Sequence, residues 1–302
     1  MLPFARVTIL GLGLIGSSIA RGIRQHMPSV RVTGYDADPS VRATAVAIDL
    51  CDDVADSAGT SVIDADLVIL CVPVGAMGAA AADIAADLPA DAIVSDVGSS
   101  KGSVIEAVRA ALPDATFIPA HPVAGTENSG PTAGFASLFH HRWCIITPPE
   151  GSDSLAVERV SEFWRRLGAT VDTMEPGHHD RVLAVTSHLP HLIAYTIVGT
   201  ASDLEEVTQS EVIKYSAGGF RDFTRIAASD PTMWRDIFLS NREAVLDMLQ
   251  RFTEDLTALQ RAIRWGKGDE LFELFSRTRA IRRSIIDQGQ DDARPDFGRS
   301  HE

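Results

Sequence analysis

The segment VTILGLGLIGSSIARGIRQ, residues 7–25, restricts the fold of this chain more than any other stretch. Val7 to Leu10 form a short, apolar, β-branched run of strand type. Gly11, Gly13 and Gly16 follow in the order GxGxxG. Ser17 to Gln25 then read as a helix, with Ile15, Ile19 and Ile23 on one stripe. A second strand pattern, VRVTGYD, ends at Asp36, twenty residues beyond Gly16. Each position has a physical task. Gly11 permits a tight turn, Gly13 lets the backbone approach a pyrophosphate, and Gly16 allows the helix to pack closely on the strand. The helix N-terminus offers free N–H groups and a positive dipole end to phosphates. Asp36 would accept hydrogen bonds from adenosine ribose hydroxyls and repel a 2′-phosphate. Its neighbours Ala37 and Asp38 supply no arginine to receive one, so NAD is expected over NADP. The expected cofactor contacts are Gly11, Leu12, Gly13, Leu14, Ile15, Gly16 and Asp36, with Val72 and Pro73 at the exit of a later strand.

Strand and helix patterns alternate through the first half. DLVILCVPV (66–74) reads as a buried parallel strand, followed by a helix, GAMGAAAADIAADL. AIVSDVGSS, ATFIPA, RWCIITPP and ATVDTM are further strands, and SVIEAVRAAL and SLAVERVSEFWRRLG are helices, the latter stopped at Gly168. This succession predicts an N-terminal Rossmann-type, doubly wound α/β fold with a mostly parallel sheet. After residue 174 the pattern is helical, with joints at GTASDLEEV, SAGGF, SDPTM and GKGDE. The expected division is a dinucleotide-binding domain over 1–173 and an all-helical domain over 174–287. Residues 288–302, QGQDDARPDFGRSHE, have little to bury and are expected to be a disordered tail.

Composition narrows the function classes. Of 302 residues, 45% are apolar and 23% charged, the profile of a soluble globular protein. No run of eighteen or more apolar residues suggests a membrane span, and MLPFARVTIL lacks the parts of a signal peptide. Three scattered cysteines, Cys51, Cys71 and Cys144, suit a reducing cytoplasm. A net charge of −14 without a basic face argues against nucleic acid as a partner. An anionic substrate would need a few locally placed Arg, Lys or His residues.

In open α/β sheets ligands bind outside the carboxyl ends of the strands. The stretch Asp96 to Lys101, then His121, then Thr126 and Glu127 sit at such ends and are expected to overhang the nicotinamide. In HPVAGTE (121–127), Pro122 biases His121 toward an extended backbone and Gly125 allows the following turn. A rigid histidine there is placed to take a proton from a hydroxyl as hydride leaves the same carbon. A histidine that merely ties down a loop is the alternative. In HHDRVLAVTSHLPHLIAY (178–195), Asp180, Ala184, Ser187 and His191 fall on one helical stripe with His188 at its flank, and Pro190 predicts a kink. His188 and His191 have HxxH spacing, but no further ligand follows at a familiar distance, so no metal is expected. Arg221 and Arg225, one turn apart after a Gly-Gly joint, are candidate carboxylate clamps, or else surface arginines paired with Asp222. Trp234 either covers the site or fills the core. A Ser–Lys hydrolase reading of Ser99, Ser100 and Lys101 is disfavoured by the adjacent dinucleotide fingerprint.

Five motifs in order, GLGLIGSSIA, SDVGSSKGSV, HPVAGTENSG, HDRVLAVTSHLPHLIA and GGFRDFTRIAASDPTMW, resemble the prephenate/arogenate (cyclohexadienyl) dehydrogenases of tyrosine biosynthesis over about residues 5–287. The resemblance implies oxidation of a cyclohexadienol at its C4 hydroxyl, with hydride passed to NAD(P)+ and the ring carboxylate lost as CO2. It implies that His121 accepts the hydroxyl proton, that Ser99 helps hold the hydroxyl, and that Arg225 binds the substrate carboxylate. His191 then lies near the substrate side chain, and this tilts the choice toward prephenate. Glu127, Ser187 and Asp222 match polar residues of the site's gating and ion-pair network, and Trp234 an aromatic at its edge; Thr126, beside Glu127, is counted with the substrate contacts. A homodimer through the helical domain is also implied. The other readings are an arogenate-specific enzyme, a two-domain β-hydroxyacid-type reductase, or a module that only binds NAD. The reductase would rely on a catalytic lysine, for which Lys214 and Lys267 give little support.

Overall fold

The computed structural model describes residues 2–126, 128–208 and 218–287. Glu127, Lys214 and the expected tail 288–302 lie outside the described residues. Six parallel strands are ordered β3-β2-β1-β4-β5-β6. They are β1 (Arg6–Leu10), β2 (Arg31–Tyr35), β3 (Asp53–Val54), β4 (Leu67–Leu70), β5 (Ile93–Asp96) and β6 (Thr116–Phe117). Val7 stands between Val32 on one side and Leu67 on the other. The order reverses between β1 and β4, which opens a crevice at their carboxyl ends.

Alternation along the strands builds two core layers, because successive side chains leave a strand on opposite faces. Ile9, Leu67 and Ile69 pack in one layer with Ile19 and Ile23 of α1 (Leu14–His26) and Val160, Phe163 and Trp164 of α6 (Ser154–Arg166). Leu10, Val68, Leu70 and Val94 pack in the other. Their partners there are Val62 of α3 (Ala58–Val62), Ile84 of α4 (Met77–Ile84) and Val104 and Val108 of α5 (Gly102–Ala111). Strands β4 and β5 are buried throughout, as a sheet covered on both faces requires.

ATFIPA is not one strand. Thr116–Phe117 ends the large sheet beside β5, and Ala120–Pro122 (β7) leaves it. Strand β7 pairs antiparallel with β8 (Trp143–Ile146), which runs parallel to β9 (Thr170–Thr173) in a separate three-stranded sheet. Pro119 stands at the switch. It has no N–H to give to a ladder, but its carbonyl accepts Thr147 N–H at 2.9 Å.

The helical half opens with α7 (Pro176–Leu183), capped by Glu175, whose carboxylate accepts the N–H groups of Gly177 and His178. Ala184–His188 is a π-helical turn, and α8 (Leu189–Thr208) follows. Pro190, expected to kink a continuous helix, is the second residue of α8, where the wide turn absorbs its missing N–H. The expected joint at GTASDLEEV is helix as far as Thr208. SDPTM is a true break, with Asp230 capping the helix Pro231–Ser240. GKGDE separates the helices Arg242–Arg264 and Gly268–Asp287. One compact unit spans Met1–Val245 and a second begins at Leu246.

The helical stretch Pro176–Asp203 has the length and mean hydropathy of a membrane span, 1.4, although Thr, Ser and His residues interrupt its apolar run. Its buried polar groups are bonded to other parts of the first unit: Asp180 to Lys101 and Gly102, and His188 to Asn241. Of its most apolar window, 28% is buried.

Candidate active site

The glycine turn follows β1 at the crevice. Gly11 has φ +100°, and a Cβ there would lie 2.6 Å from the Cys71 carbonyl oxygen. At Gly16 a Cβ would lie 2.0 Å from the Gly11 carbonyl oxygen, so backbone excludes any larger residue at both positions. Gly13 differs, since a Cβ there would meet nothing within 4 Å. It caps α1 without a side-chain cap or an acid in the first turn. The first N–H groups of α1 therefore border open space, and the residues fit a bound pyrophosphate. Val72 flanks this turn, its nitrogen 3.0 Å from the same Gly11 Cβ position, and Pro73 caps the short turn Val74–Ala76.

Asp36, just beyond β2, is tied to the glycine turn. Its Oδ2 accepts Leu12 N–H at 2.8 Å and its Oδ1 accepts Asp38 N–H at 2.9 Å. An arginine from further along the chain also reaches this strand end. Arg42 of α2 (Pro39–Ala47) donates from Nη1 to the carbonyl oxygens of Asp36 (2.7 Å) and Ala37 (3.2 Å).

His121 lies in β7 opposite Ile145 and is 7% exposed. Its Nδ1 is 2.9 Å from His179 Nε2, and His179 Nδ1 is 2.9 Å from Asp180 Oδ1. The carboxylate can only accept, so His179 donates from Nδ1 and, when neutral, accepts at Nε2. His121 then donates from Nδ1 and keeps a lone pair at Nε2. Asp180 is itself anchored by the N–H groups of Lys101 and Gly102, both at 2.8 Å, at the start of α5. Burial alone would raise the Asp180 carboxyl, but hydrogen bonds from His179, Gly102 and Lys101 outweigh it and hold it below the usual range. Burial, reinforced by the charge of Lys101, pushes His121 well below the ordinary histidine value. Burial pushes His179 down as well, against the pull of Asp180.

Asp96 and Lys101 do not overhang the crevice. Both are fully buried, and Lys101 Nζ donates to Asp96 Oδ2 at 2.5 Å and to the Ala120 carbonyl at 2.7 Å. Asp96 also accepts the N–H groups of Gly98 and Ala120. The pair bolts the strand that carries His121 to the end of β5. Ser99 between them is half-buried, and its hydroxyl makes no hydrogen bond among the described residues. Thr126 is exposed, and its hydroxyl accepts Asn128 N–H.

His191 donates from Nδ1 to the Ser187 carbonyl at 2.8 Å, which leaves Nε2 as an acceptor. Its ring stacks on the buried Trp234 with centroids 3.6 Å apart. Burial lowers His191, and the nearby charge of Arg225 adds to it. Arg225 opens the short turn Arg225–Ala228 on the exposed side, and Arg221 and Asp222 are exposed in Gly218–Thr224. The expected stripe is re-registered by the π turn. Asp180 and His188 share Asn241, whose Nδ2 lies 2.8 Å from the Asp180 carbonyl oxygen and 3.1 Å from His188 Nδ1, while Ser187 offers its carbonyl. Sequence reasoning missed His179 and Asn241. The doublet His179–Asp180 was visible, but its partner is 58 residues away.

Burial pushes fully buried His188 down to about 4. Its folded value lies below the unfolded one, so the unfolded chain takes up this proton first as pH falls. Stability is therefore complete above pH 6.5 and lost on the way down to pH 4, by roughly 3 kcal/mol from this group. Urea midpoints at pH 7 and pH 4 check it, and His188→Gln should reduce the difference. An equal difference in that variant would assign the acid lability elsewhere.

A parallel sheet with a phosphate-fitting glycine turn at its switch point, and a buried neutral histidine at the same edge, defines a nicotinamide-dinucleotide dehydrogenase. The family model for the prephenate dehydrogenase nucleotide-binding domain matches residues 19–173, and that for the prephenate dehydrogenase dimerization domain matches residues 175–277. The chain is 45% identical over 285 residues to a cyclohexadienyl dehydrogenase of Zymomonas mobilis, covering 94% of this chain and 97% of that one. It is 33% identical to a prephenate dehydrogenase of Bacillus subtilis, covering 91% and 75%. The crystal structure of prephenate dehydrogenase from Aquifex aeolicus, in complex with hydroxyphenyl propionate and NAD+, superposes with a TM-score of 0.87 at 34% identity, covering 94% and 98%. The chain belongs to the prephenate dehydrogenase family. Lys267, weighed above as the lysine of a different reductase, is tied to Glu270 at 2.6 Å.

Proposed function

We propose that this chain catalyses the NAD-dependent oxidative decarboxylation of prephenate to 4-hydroxyphenylpyruvate, with arogenate, which gives tyrosine, as a second substrate. The observation that carries the reading is the hydrogen-bonded series His121–His179–Asp180, which leaves His121 Nε2 unprotonated at neutral pH. Bound NAD+ supplies the hydride acceptor. His121 Nε2 takes the C4 hydroxyl proton as the C4–H bond gives up its electron pair, and a C4 ketone forms. The bond from C1 to the ring carboxylate then breaks, CO2 leaves, and its electron pair aromatises the ring. His121 returns its proton to the C4 oxygen, so the histidine ends as it began. His179 and Asp180 stabilise the imidazolium between the two transfers.

Ser99 holds the hydroxyl, Arg225 pairs with a substrate carboxylate, and His191 and Trp234 border the side chain. Thr126, Glu127, Ser187 and Asp222 complete the polar lining. Gly11 to Gly16, Asp36, Val72 and Pro73 bind the dinucleotide. In this reading residues 1–173 bind the dinucleotide, residues 174–287 contribute the substrate wall and a homodimer contact, and the enzyme works in the cytoplasm. The test is absorbance at the NADH band with purified protein, NAD+ and either prephenate or arogenate, with NADP+ as control. NADH should form with prephenate and more slowly with arogenate. No turnover with either would leave only a dinucleotide-binding protein of this fold.

A further inference from the structure

His26 and His140 meet at the end of α1 that points away from the glycine turn, about 18 Å along the helix from its first residue. Their Nε2 atoms are 3.2 Å apart and their ring centroids 5.2 Å apart, with 53° between the ring planes. The two are 114 residues apart in the chain, so no sequence spacing announces them. Two imidazoles on one tetrahedral zinc ion, each bound at about 2.0–2.1 Å, bring their nitrogens to about 3.3 Å and their centroids to about 5.2 Å. A linear N–H···N hydrogen bond of 3.2 Å would hold the centroids further apart, at about 5.5 Å.

Both rings are mounted on ordered backbone. His26 is the last residue of α1, where Met27 N–H closes the helix on the Ile23 carbonyl at 2.7 Å, and Ile23 and Met27 are buried. His140 stands in the turn before β8. Its N–H reaches the Ser137 carbonyl and His141 N–H reaches the Gly168 carbonyl, both at 3.1 Å. Gly168 (φ +91°) lies against the His140 ring, so that a Cβ there would collide with it. A ring held in this way needs little further ordering to bind an ion. Gly168 also follows α6, so the carboxyl ends of α1 and α6 both border the pair, and the negative end of a helix dipole favours a cation. Arg24, Arg165 and Arg166, in the last turns of these helices, are each engaged by an acid: Asp49, Glu158 and Glu162.

We propose that His26 and His140 form a two-imidazole site for a divalent first-row transition ion of the zinc type, which ties the end of α1 to the turn before β8. Imidazole nitrogen suits zinc, copper and nickel, whereas magnesium and calcium prefer oxygen. No third His, Cys, Asp or Glu completes the set among the described residues, so water fills the remaining positions and the affinity is micromolar rather than nanomolar. Neither histidine touches the glycine turn or His121, so the ion stabilises the fold and takes no part in the reaction.

The experiment is calorimetric titration of zinc chloride into the tag-free, full-length protein and the variants His26→Gln and His140→Gln, with thermal melts of each with and without zinc. Without metal the three proteins should melt together, since neither ring is fully buried. The parent should bind one ion per chain at this site and melt about 5 °C higher at a hundredfold excess over Kd. Each variant should lose at least about tenfold in zinc affinity and most of the rise in Tm, because either ring alone is a single ligand. NADH affinity should stay at the parent value in both. Magnesium chloride in place of zinc chloride should leave Tm unchanged. The proposal is overturned if the parent shows no saturable zinc binding, and the contact is then a hydrogen bond only. It is also overturned if either variant keeps the parent's zinc affinity, since the ion would then sit on other histidines such as His121 and His179.

Discussion

Replacing His121 with asparagine lowers kcat by about 10²- to 10⁴-fold while NADH binding stays near the parent value, because under the proposed mechanism the variant loses its general base and no part of the glycine turn. Asparagine keeps a polar group against His179 but cannot accept a proton at neutral pH. The parent should also show a distinctive pH profile. Burial and the charge of Lys101 depress His121, and in the proposed mechanism the protonated form is the inactive one. The acid limb of kcat/KM therefore lies below the ordinary histidine value of 6.5, with a plateau from there upward. Steady-state rates from pH 5 to 8 and the His121→Asn variant are measured together. A variant within tenfold of the parent, or a limb centred above 6.5, would remove His121 from its assigned role.

Lys101→Met destabilises the protein by about 3–5 kcal/mol, the largest stability loss expected here, because it leaves the buried Asp96 carboxylate without its cation. Methionine fills most of the volume of the lysine stem, so the loss reports charge more than packing. Lys101 Nζ also holds the Ala120 carbonyl, one residue before His121, so catalysis should fall as well. The double variant Asp96→Asn/Lys101→Met removes the unpaired charge and should recover part of the stability. Urea unfolding of the three proteins supplies the comparison. A single-variant loss below about 1 kcal/mol would mean that the pair contributes no more than an exposed salt bridge.

The parts of the molecule that were legible beforehand are those whose physics is local. The glycine turn could be read because Gly11 and Gly16 answer to backbone a few residues away or to the adjacent strand end. The buried strand in DLVILCVPV could be read because a strand covered on both faces is apolar throughout. The motif HPVAGTE already marked His121, since a proline and a strand end hold a side chain in place without outside help. The change to helix at Pro176 was equally local, and the structure caps that helix with Glu175.

Other features depended on pairing across distance. ATFIPA divides between two sheets because β8 and β9 offer a second ladder, and no property of those six residues announces it. Asp96 and Lys101 were placed at the ligand, as charged residues after a strand usually are. They turn inward because each finds the other and the backbone of Ala120. Arg42 is six residues beyond Asp36 in sequence, and only the helix starting at Pro39 brings its guanidinium back to the Asp36 carbonyl. The π turn shifted a stripe drawn at 100° per residue, and Asn241 joined Asp180 to His188 from a different helix. Backbone conformation and face alternation are set within a few residues. The partner of a buried polar side chain is set by which elements pack together, and for His121 that partner stands 58 residues further along the chain.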